Sequence, residues 1–389
     1  LGRAINVADV TGRLVLTQGY LIGHGMTLSV NRWPLSADFS VSVKERSSFL
    51  AQVASRDRTD KAPSFLLSAQ GVLSNKGRLD GRLSGQWRYP GKETTNIWTF
   101  RGSRVQFEPA SAAFRAAELA VRLAVRPKGE TPSEDIFRGA VSLTDLYGVF
   151  QERDGGMWLK PVRGLTCGGQ VEGEAVFFEN ESSPQARGEF HIRGIDVPLL
   201  KIPSLGKGKL ESDFRFDTVA SDMIQGQVFI ANGTITENAI LNAVANFLGI
   251  QALHQVAFGD LAIFLNGGRG DFASRVKLKS SLVNGYLDAK VISYDKIDGY
   301  LSLDLATELL NESRMFRKIL TYLKHDEPSV VFPFKISSYI SSPRILWLKN
   351  EFKESLQDLL PERNKRAIQA EVNRAVESMK AQGYEEIQK

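Results

Sequence analysis

A mainly β, antiparallel fold is expected from two features of this 389-residue chain. Apolar and polar side chains alternate with a period of two along many short segments, and glycines recur at or near the starts of such segments. Successive strand side chains point to opposite faces, so each segment presents one apolar and one wet face. A parallel α/β sheet, buried on both faces, would show continuous apolar runs instead.

Taken in order, Arg13-Leu14-Val15-Leu16-Thr17, Met26-Thr27-Leu28-Ser29-Val30 and Phe39-Ser40-Val41-Ser42-Val43 alternate in this way. Residues 110–125 read both ways: their alanines favour helix, whereas Leu119, Val121, Leu123 and Val125 alternate as a strand does. Further alternating segments are Phe190-His191-Ile192-Arg193, Leu210 to Phe216 and Leu301 to Leu305. Glycines open segments at Gly81, Gly139, Gly188, Gly226, Gly285 and Gly299. Such a glycine marks a bulge, a bend or a close backbone approach that lets a long sheet twist and curl. Ordinary turn glycines of a meander are the alternative, and the uneven spacing excludes a solenoid of fixed repeat length.

Helices are expected late in the chain. Ile240, Leu241, Val244, Phe247 and Leu248 have helical spacing, with Thr236 as N-cap and Gly249 as terminator. A second stripe, Leu309, Phe316, Leu320 and Leu323, has Thr307 as its cap. After Trp347, Phe352, Leu356 and Leu359 form an amphipathic stripe, Pro361 breaks it, and Ile368, Val372, Val376 and Met379 form another. The longest apolar helical stretch, 239–250, is shorter than the roughly 20 residues that span a bilayer. Loops are expected at Ser55–Ser64, Pro127–Asp135 and Glu179–Gln185. With Leu1 rather than methionine first, the chain is expected to be a fragment or a processed product, any anchor lying ahead of it.

Composition and motifs exclude more chemistry than they suggest. Lysine and arginine total 49 against 44 acidic residues, a net charge of +5, too mild to predict nucleic-acid binding. Hydrophobic residues at 42% are enough for a core. The single cysteine, Cys167, excludes an internal disulfide and a cysteine-rich metal site. His24, His191, His254 and His325 do not fall at metal-ligand spacing, and neither a nucleophile elbow nor a phosphate loop is present. Gly206-Lys207-Gly208 and Arg269-Gly270-Asp271 read as turns, and the pairs Asp213/Asp217 and Asp295/Asp298 as wet-face carboxylates. Asn180, Asn232 and Asn311 open glycosylation triplets, which matter only on a eukaryotic secretory route. No catalytic residue, metal or cofactor is expected.

What remains is an apolar face repeated over many strands with few helices to cover it. It must be buried by a second sheet, by closure into a barrel, or by an apolar ligand lying in a half-pipe. The inward candidates are Phe214, Phe216, Val228, Ile230, Leu261, Ile263, Leu278, Leu287, Val291, Leu301, Leu303, Phe332, Phe334 and Ile336. Alternation alone does not separate a dry core from a ligand-lined groove.

From Gly226 onward the order of features resembles the C-terminal region of the AsmA-like family of Gram-negative envelope proteins (the AsmA, YhdP and TamB type). A strand with a following Asn-Gly, Gly226 to Ile235, precedes the short apolar helix of Ala239 to Ile250. A strand opened by an aromatic follows, Phe258-Gly259-Asp260-Leu261-Ala262-Ile263, then Asp271-Phe272-Ala273 and Asn284 to Asp288. Val331-Phe332-Pro333-Phe334-Lys335-Ile336 through Pro343 matches the closing strand, although Ser337-Ser338 stands where the family often has glycine.

The resemblance implies a long twisted antiparallel sheet curled into a half-pipe, a repeating β-groove with a few short helices and a helical C-terminal tail. It implies an N-terminal β-groove segment over 1–205, the AsmA-like region over 206–348, and an amphipathic tail over 349–389. It further implies a periplasmic module, anchored in the inner membrane by a segment outside this chain, that supports outer-membrane assembly. Phospholipid would be the ligand, its acyl chains shielded by the candidate residues above, with inner- and outer-membrane proteins as partners. The alternative is a non-enzymatic β scaffold, or an adhesin-like interaction protein, with a closed dry core.

Overall fold

The computed structural model describes residues 7–30, 33–42, 47–55, 65–74, 78–90, 94–108, 111–127, 136–153, 156–178, 185–202, 204–218, 223–268, 271–292, 296–313, 316–323, 328–357, 359–360 and 364–381. Most of the three expected loops, together with Arg269, Gly270, Asp295, His325, Pro361 and the Asn180 triplet, lies outside the described residues. The protein is mainly β: twenty antiparallel strands belong to one sheet, with few short helices. Its first strand pairs only with the second and its last only with the nineteenth among the described residues, so the sheet is open and not a barrel.

Two compact units divide the chain, one of 1–195 with 213–223, the other of 196–212 with 224–389. The first is a meander of β1 (Val7–Thr17), β2 (Tyr20–Val30), β3 (Trp33–Ser42), β4 (Ser47–Ser55), β5 (Phe65–Leu73) and β6 (Leu79–Pro90). It continues through β7 (Thr94–Glu108), β8 (Ala113–Pro127), β9 (Ile136–Arg153), β10 (Gly156–Thr166), β11 (Gly169–Phe178) and β12 (Gln185–Asp196). The ambiguous stretch is therefore strand, β8. The boundary passes through β13 (Leu205–Asp217), whose last residues belong to the first unit. Gly206-Lys207-Gly208, expected as a turn, opens that strand; Gly208 takes φ +126 with the Ile230 side chain where a Cβ would go.

The second unit holds β14 (Met223–Thr236), β15 (Gln255–Gly268), β16 (Asp271–Lys279), β17 (Val283–Ile292), β18 (Lys296–Ala306), β19 (Ser329–Tyr339) and β20 (Ser342–Trp347). Its helices are α1 (Ala239–Leu248), α2 (Thr307–Leu310), α3 (Arg317–Leu320), α4 (Lys349–Gln357) and α5 (Lys365–Ala381). Asn238, not Thr236, caps α1: its Oδ1 accepts from the Ile240 and Leu241 amides at 3.1 Å each. Thr236 is still in the β14 ladder opposite Gln255 and cannot serve as cap. Gly249 ends the helix at φ +68, as expected. The stripe from Leu309 to Leu323 is not one helix but two single turns, because the chain turns at Asn311 and Glu312. Thr307, expected as a cap, is instead the first residue of α2.

These helices lie over the apolar face of β14 to β20. α1 packs against β20, α4 against β19, and α5 on α3 and α4. Phe247, Phe316, Phe332, Phe334, Trp347 and Phe352 meet there in edge-on and tilted contacts, with centroids 4.7 Å apart for Phe332–Phe352 and 5.0 Å for Phe316–Phe332. The tail contributes Phe352, Leu356, Ile368, Val372 and Val376 to the same core. No helix of the described residues is long and apolar enough to cross a membrane.

Many of the glycines have a common physical role. A Phe ring on a neighbouring strand lies where the missing Cβ would be: Phe39 over Gly23, Phe100 over Gly85, Phe114 over Gly148, and Phe190 over Gly173. The ring shields the bare backbone while the strands twist and approach closely.

Two outcomes are expected in denaturant unfolding. Gly148→Ala drives a methyl into the Phe114 ring and lowers stability by about 1–3 kcal/mol, and Phe114→Leu in the same chain recovers part of the loss. Trp347→Ala costs about 3–5 kcal/mol. Trp347→Phe costs less than half as much, because the buried Trp347 Nε1 has no hydrogen-bond partner to lose.

Candidate functional site

The alternation that packs a core in the second unit leaves an accessible surface in the first. Register places Met26 opposite Ala37, Phe39 opposite Ala51, Val41 opposite Phe49, and Leu73 opposite Leu79, on one face of β2 to β6. These side chains, with Val10, Leu28 and Val53, line a cavity of about 390 Å³. On a flat sheet with strands about 4.8 Å apart, β1 and β6 would be roughly 24 Å from each other. One cavity touches both Val10 of β1 and Leu79 of β6, so the sheet is curled around this face.

Among the described lining residues only Asp38 is charged, and its carboxylate is occupied elsewhere. It accepts from the Gly25 amide at 2.8 Å and lies 2.9 Å from His24 Nδ1. The Gly25 amide, then His24, hold its pKa below the ordinary carboxylate value. A charge so engaged adds little to the desolvation cost of an apolar ligand beside it.

The apolar face runs on through β7 to β12. Among the described residues there, Ala116, Leu146 and Val162 form a small buried cluster, with Phe114, Leu119, Leu143, Leu159 and Phe190 half-buried against it, and Ile97, Ala175, Val176 and Ala186 are buried as well. Among its described residues this unit has no helix to lay over the face.

Of the candidates read from the sequence, Phe214 and Phe216 belong to this unit and are half-buried, Phe216 stacked on Phe190 at 6.2 Å. Ile230, Leu261, Leu278, Leu301, Leu303, Phe332, Phe334 and Ile336 are at most 7% exposed, in the core of the second unit beneath its helices. Val228, Ile263 and Leu287 pack against that core. Val291 is half-buried between Phe272 and Ile297. The lining of this cavity, a buried Met26 with the half-buried Leu28, Phe39, Phe49, Val53, Leu73 and Leu79, is absent from the sequence-derived set. Its signal was the same alternation in a part of the chain with no apolar helical stripe nearby.

The opposite face of the first unit is wet and cross-linked by charge. Arg163 pairs with Glu172, Arg187 with Asp217, and Arg215 with Glu189. His191 Nδ1 and Arg193 Nη2 both lie 2.7 Å from Asp213 Oδ1. Asp213 and Asp217 are thus separate ion-pair partners rather than an acid–base couple. His254 is occupied too, its Nδ1 2.7 Å from Asn242 Oδ1.

The hydrogen bonds from His191 and Arg193 hold the Asp213 carboxyl below its ordinary value of 3.8. A depressed carboxylate pKa contributes stability above the unfolded value that is lost as pH falls through the folded one. Wild type should therefore exceed Asp213→Asn in stability near neutrality. The gap should close below about pH 4 and shrink in high salt, since the pair is half exposed; urea midpoints across a pH series measure it. Comparison with known protein families, with characterised proteins and with solved structures finds no match to this chain.

Proposed function

We propose that the chain is a passive phospholipid-binding module of the Gram-negative cell envelope, of the AsmA-like kind, that shields acyl chains on the apolar face of its first unit. The supporting observation is the curled face of β1 to β6, with its cavity of about 390 Å³ lined by Met26, Leu28, Phe39, Phe49 and Val53. Each methylene taken from water is worth about 0.8 kcal/mol. A face offering Leu, Val or Phe at each of β1 to β6 gives an acyl chain similar free energy at each position, so it slides with a low barrier while the headgroup stays in solvent. This role uses no catalytic residue and no cofactor, and nucleic acid is not among its ligands. Residence in the periplasm, inner-membrane anchoring through a segment outside this chain, and contact with inner- and outer-membrane proteins are parts of the proposal that rest on the family resemblance.

A second reading, a non-enzymatic scaffold with a dry core, is favoured by the second unit, where helices take the place a ligand would fill. Native mass spectrometry with lipid extraction, and uptake of fluorescent phospholipid, separate the two. Under the lipid reading, phospholipid accompanies the wild type. Phe39→Asp or Val53→Asp then lowers uptake at least about tenfold, a loss of roughly 1.4 kcal/mol, with the circular dichroism unchanged. A ligand-free mass with no uptake leaves the scaffold reading.

A further inference from the structure

The first unit has a second cavity, also of about 390 Å³, and its lining is polar. Register sets that lining side by side on neighbouring strands: Ser68 opposite Ser84, Ser84 opposite Arg101, Gln70 opposite Arg82, and Ser103 opposite Glu118. Along β5 and β6 these residues alternate with Ala69 and Leu83, which continue the row of Ala51 in the apolar groove. The polar cavity therefore belongs to the other face of the sheet.

The guanidinium groups of Arg82 and Arg101 are exposed and have no partner among the described residues. This sets them apart from Arg163, Arg187, Arg193 and Arg215 of the same unit, each of which is held by a carboxylate. The acids of β6 to β8 are engaged elsewhere. Asp80 accepts from Gln106 Nε2 at 3.1 Å, Glu108 from Ser111 Oγ at 2.9 Å, and Glu118 from Ser142 Oγ at 3.2 Å. Arg82 is the diagonal cross-strand neighbour of Arg101, roughly 7–8 Å away, a spacing that long side chains close onto one ligand. β6, β7 and β8 carry arginine and no lysine. A guanidinium fork matches two phosphate oxygens at once, whereas an ammonium is only a point charge.

We propose that this cavity binds the phosphate ester of a small polyol, of the glycerol phosphate or sugar phosphate class. Arg82 and Arg101 hold the phosphate between them, and Ser68, Ser84 and Ser103 add hydroxyl donors. Gln70 and Glu118 meet the polyol hydroxyls. The Glu118 carboxylate repels a second phosphate, which selects monophosphates over polyphosphates. The volume lies at the small end of ligand sites, as such an ester requires. Because β5 to β8 are interior strands, a lipid held in the apolar groove does not reach this side of the single layer. The site is therefore independent of the lipid reading.

Isothermal titration of glycerol 3-phosphate into the 389-residue chain is the test. Binding should have a Kd of about 1 mM or tighter, weaken with added salt, and be absent with glycerol. Arg82→Gln and Arg101→Gln should each lower affinity at least about tenfold. Arg101→Lys should keep only part of it, and the ion-paired control Arg163→Gln should leave it unchanged. Both cavity arginines are exposed, so urea midpoints should stay at the wild-type value. Glu118→Gln should improve binding of pyrophosphate relative to glycerol 3-phosphate. Co-sedimentation with vesicles of phosphatidylcholine and phosphatidylglycerol, in a Phe39→Asp chain that silences the groove, separates the sources of the ester. Sedimentation that is lost with Arg82→Gln assigns it to a lipid headgroup; none at all, with the soluble ester still bound, assigns it to a soluble molecule. No binding of glycerol 3-phosphate, inorganic phosphate bound as tightly as the ester, affinity indifferent to both arginine variants, or an equal loss in Arg163→Gln would each overturn the proposal. Uptake of fluorescent phospholipid by the Arg82→Gln chain should match the wild type, which keeps this test apart from that of the groove.

Discussion

An antiparallel sheet with one apolar face must put something against that face, and most features of this protein follow from how it does so. In the second unit the cover is helical and includes pieces too short to be stable alone, above all the single turns α2 and α3. Isolated helices of that length do not hold in water. They persist because Phe316, Ile319, Phe352 and Leu356 are buried against Phe332, Phe334 and Trp347. Burying one such side chain is worth about 1.5–3 kcal/mol, several times any helix propensity.

In the first unit the same kind of face has no helical cover among the described residues, and curvature takes part of the burden. Each Gly–Phe pair lets two strands come close and fills the gap with a ring, so the sheet bends without exposing backbone. Curling brings side chains of distant strands, Val10 and Leu79 among them, around one cavity. The half-buried state of Phe39, Phe49 and Val53 is what a curved single layer produces. An apolar surface in that state is suited to a mobile apolar ligand, whereas the closed aromatic cluster of the second unit is not.

The wet face contributes specificity more than stability. Exposed pairs such as Arg163–Glu172 and Arg215–Glu189 are each worth little in water. Placed across neighbouring strands, they oppose slippage by one residue, which would carry every apolar side chain to the wrong face. The two faces therefore constrain each other: the apolar one supplies the free energy of the sheet, and the charged one helps hold its register.

Period-two alternation in segments such as Arg13 to Thr17 and Leu301 to Leu305 was enough to specify strands, an antiparallel sheet and the side of each strand that is apolar. Helical spacing with a terminating glycine likewise located α1, because both signals are local. Local pattern missed where competition between neighbours decided the outcome: Thr236 stayed in the β14 ladder and left the cap to Asn238, and the Leu309 to Leu323 stripe broke into two turns to follow the core beneath it. The candidate site was only half legible for the same reason. Phe39 and Phe332 sit in the same kind of alternating segment, yet one is half-buried on an accessible face and the other fully buried under α4. Alternation records which way a side chain points along its own strand. What lies against that side chain is set by contacts with residues far away in the chain, and only the tertiary structure decides it.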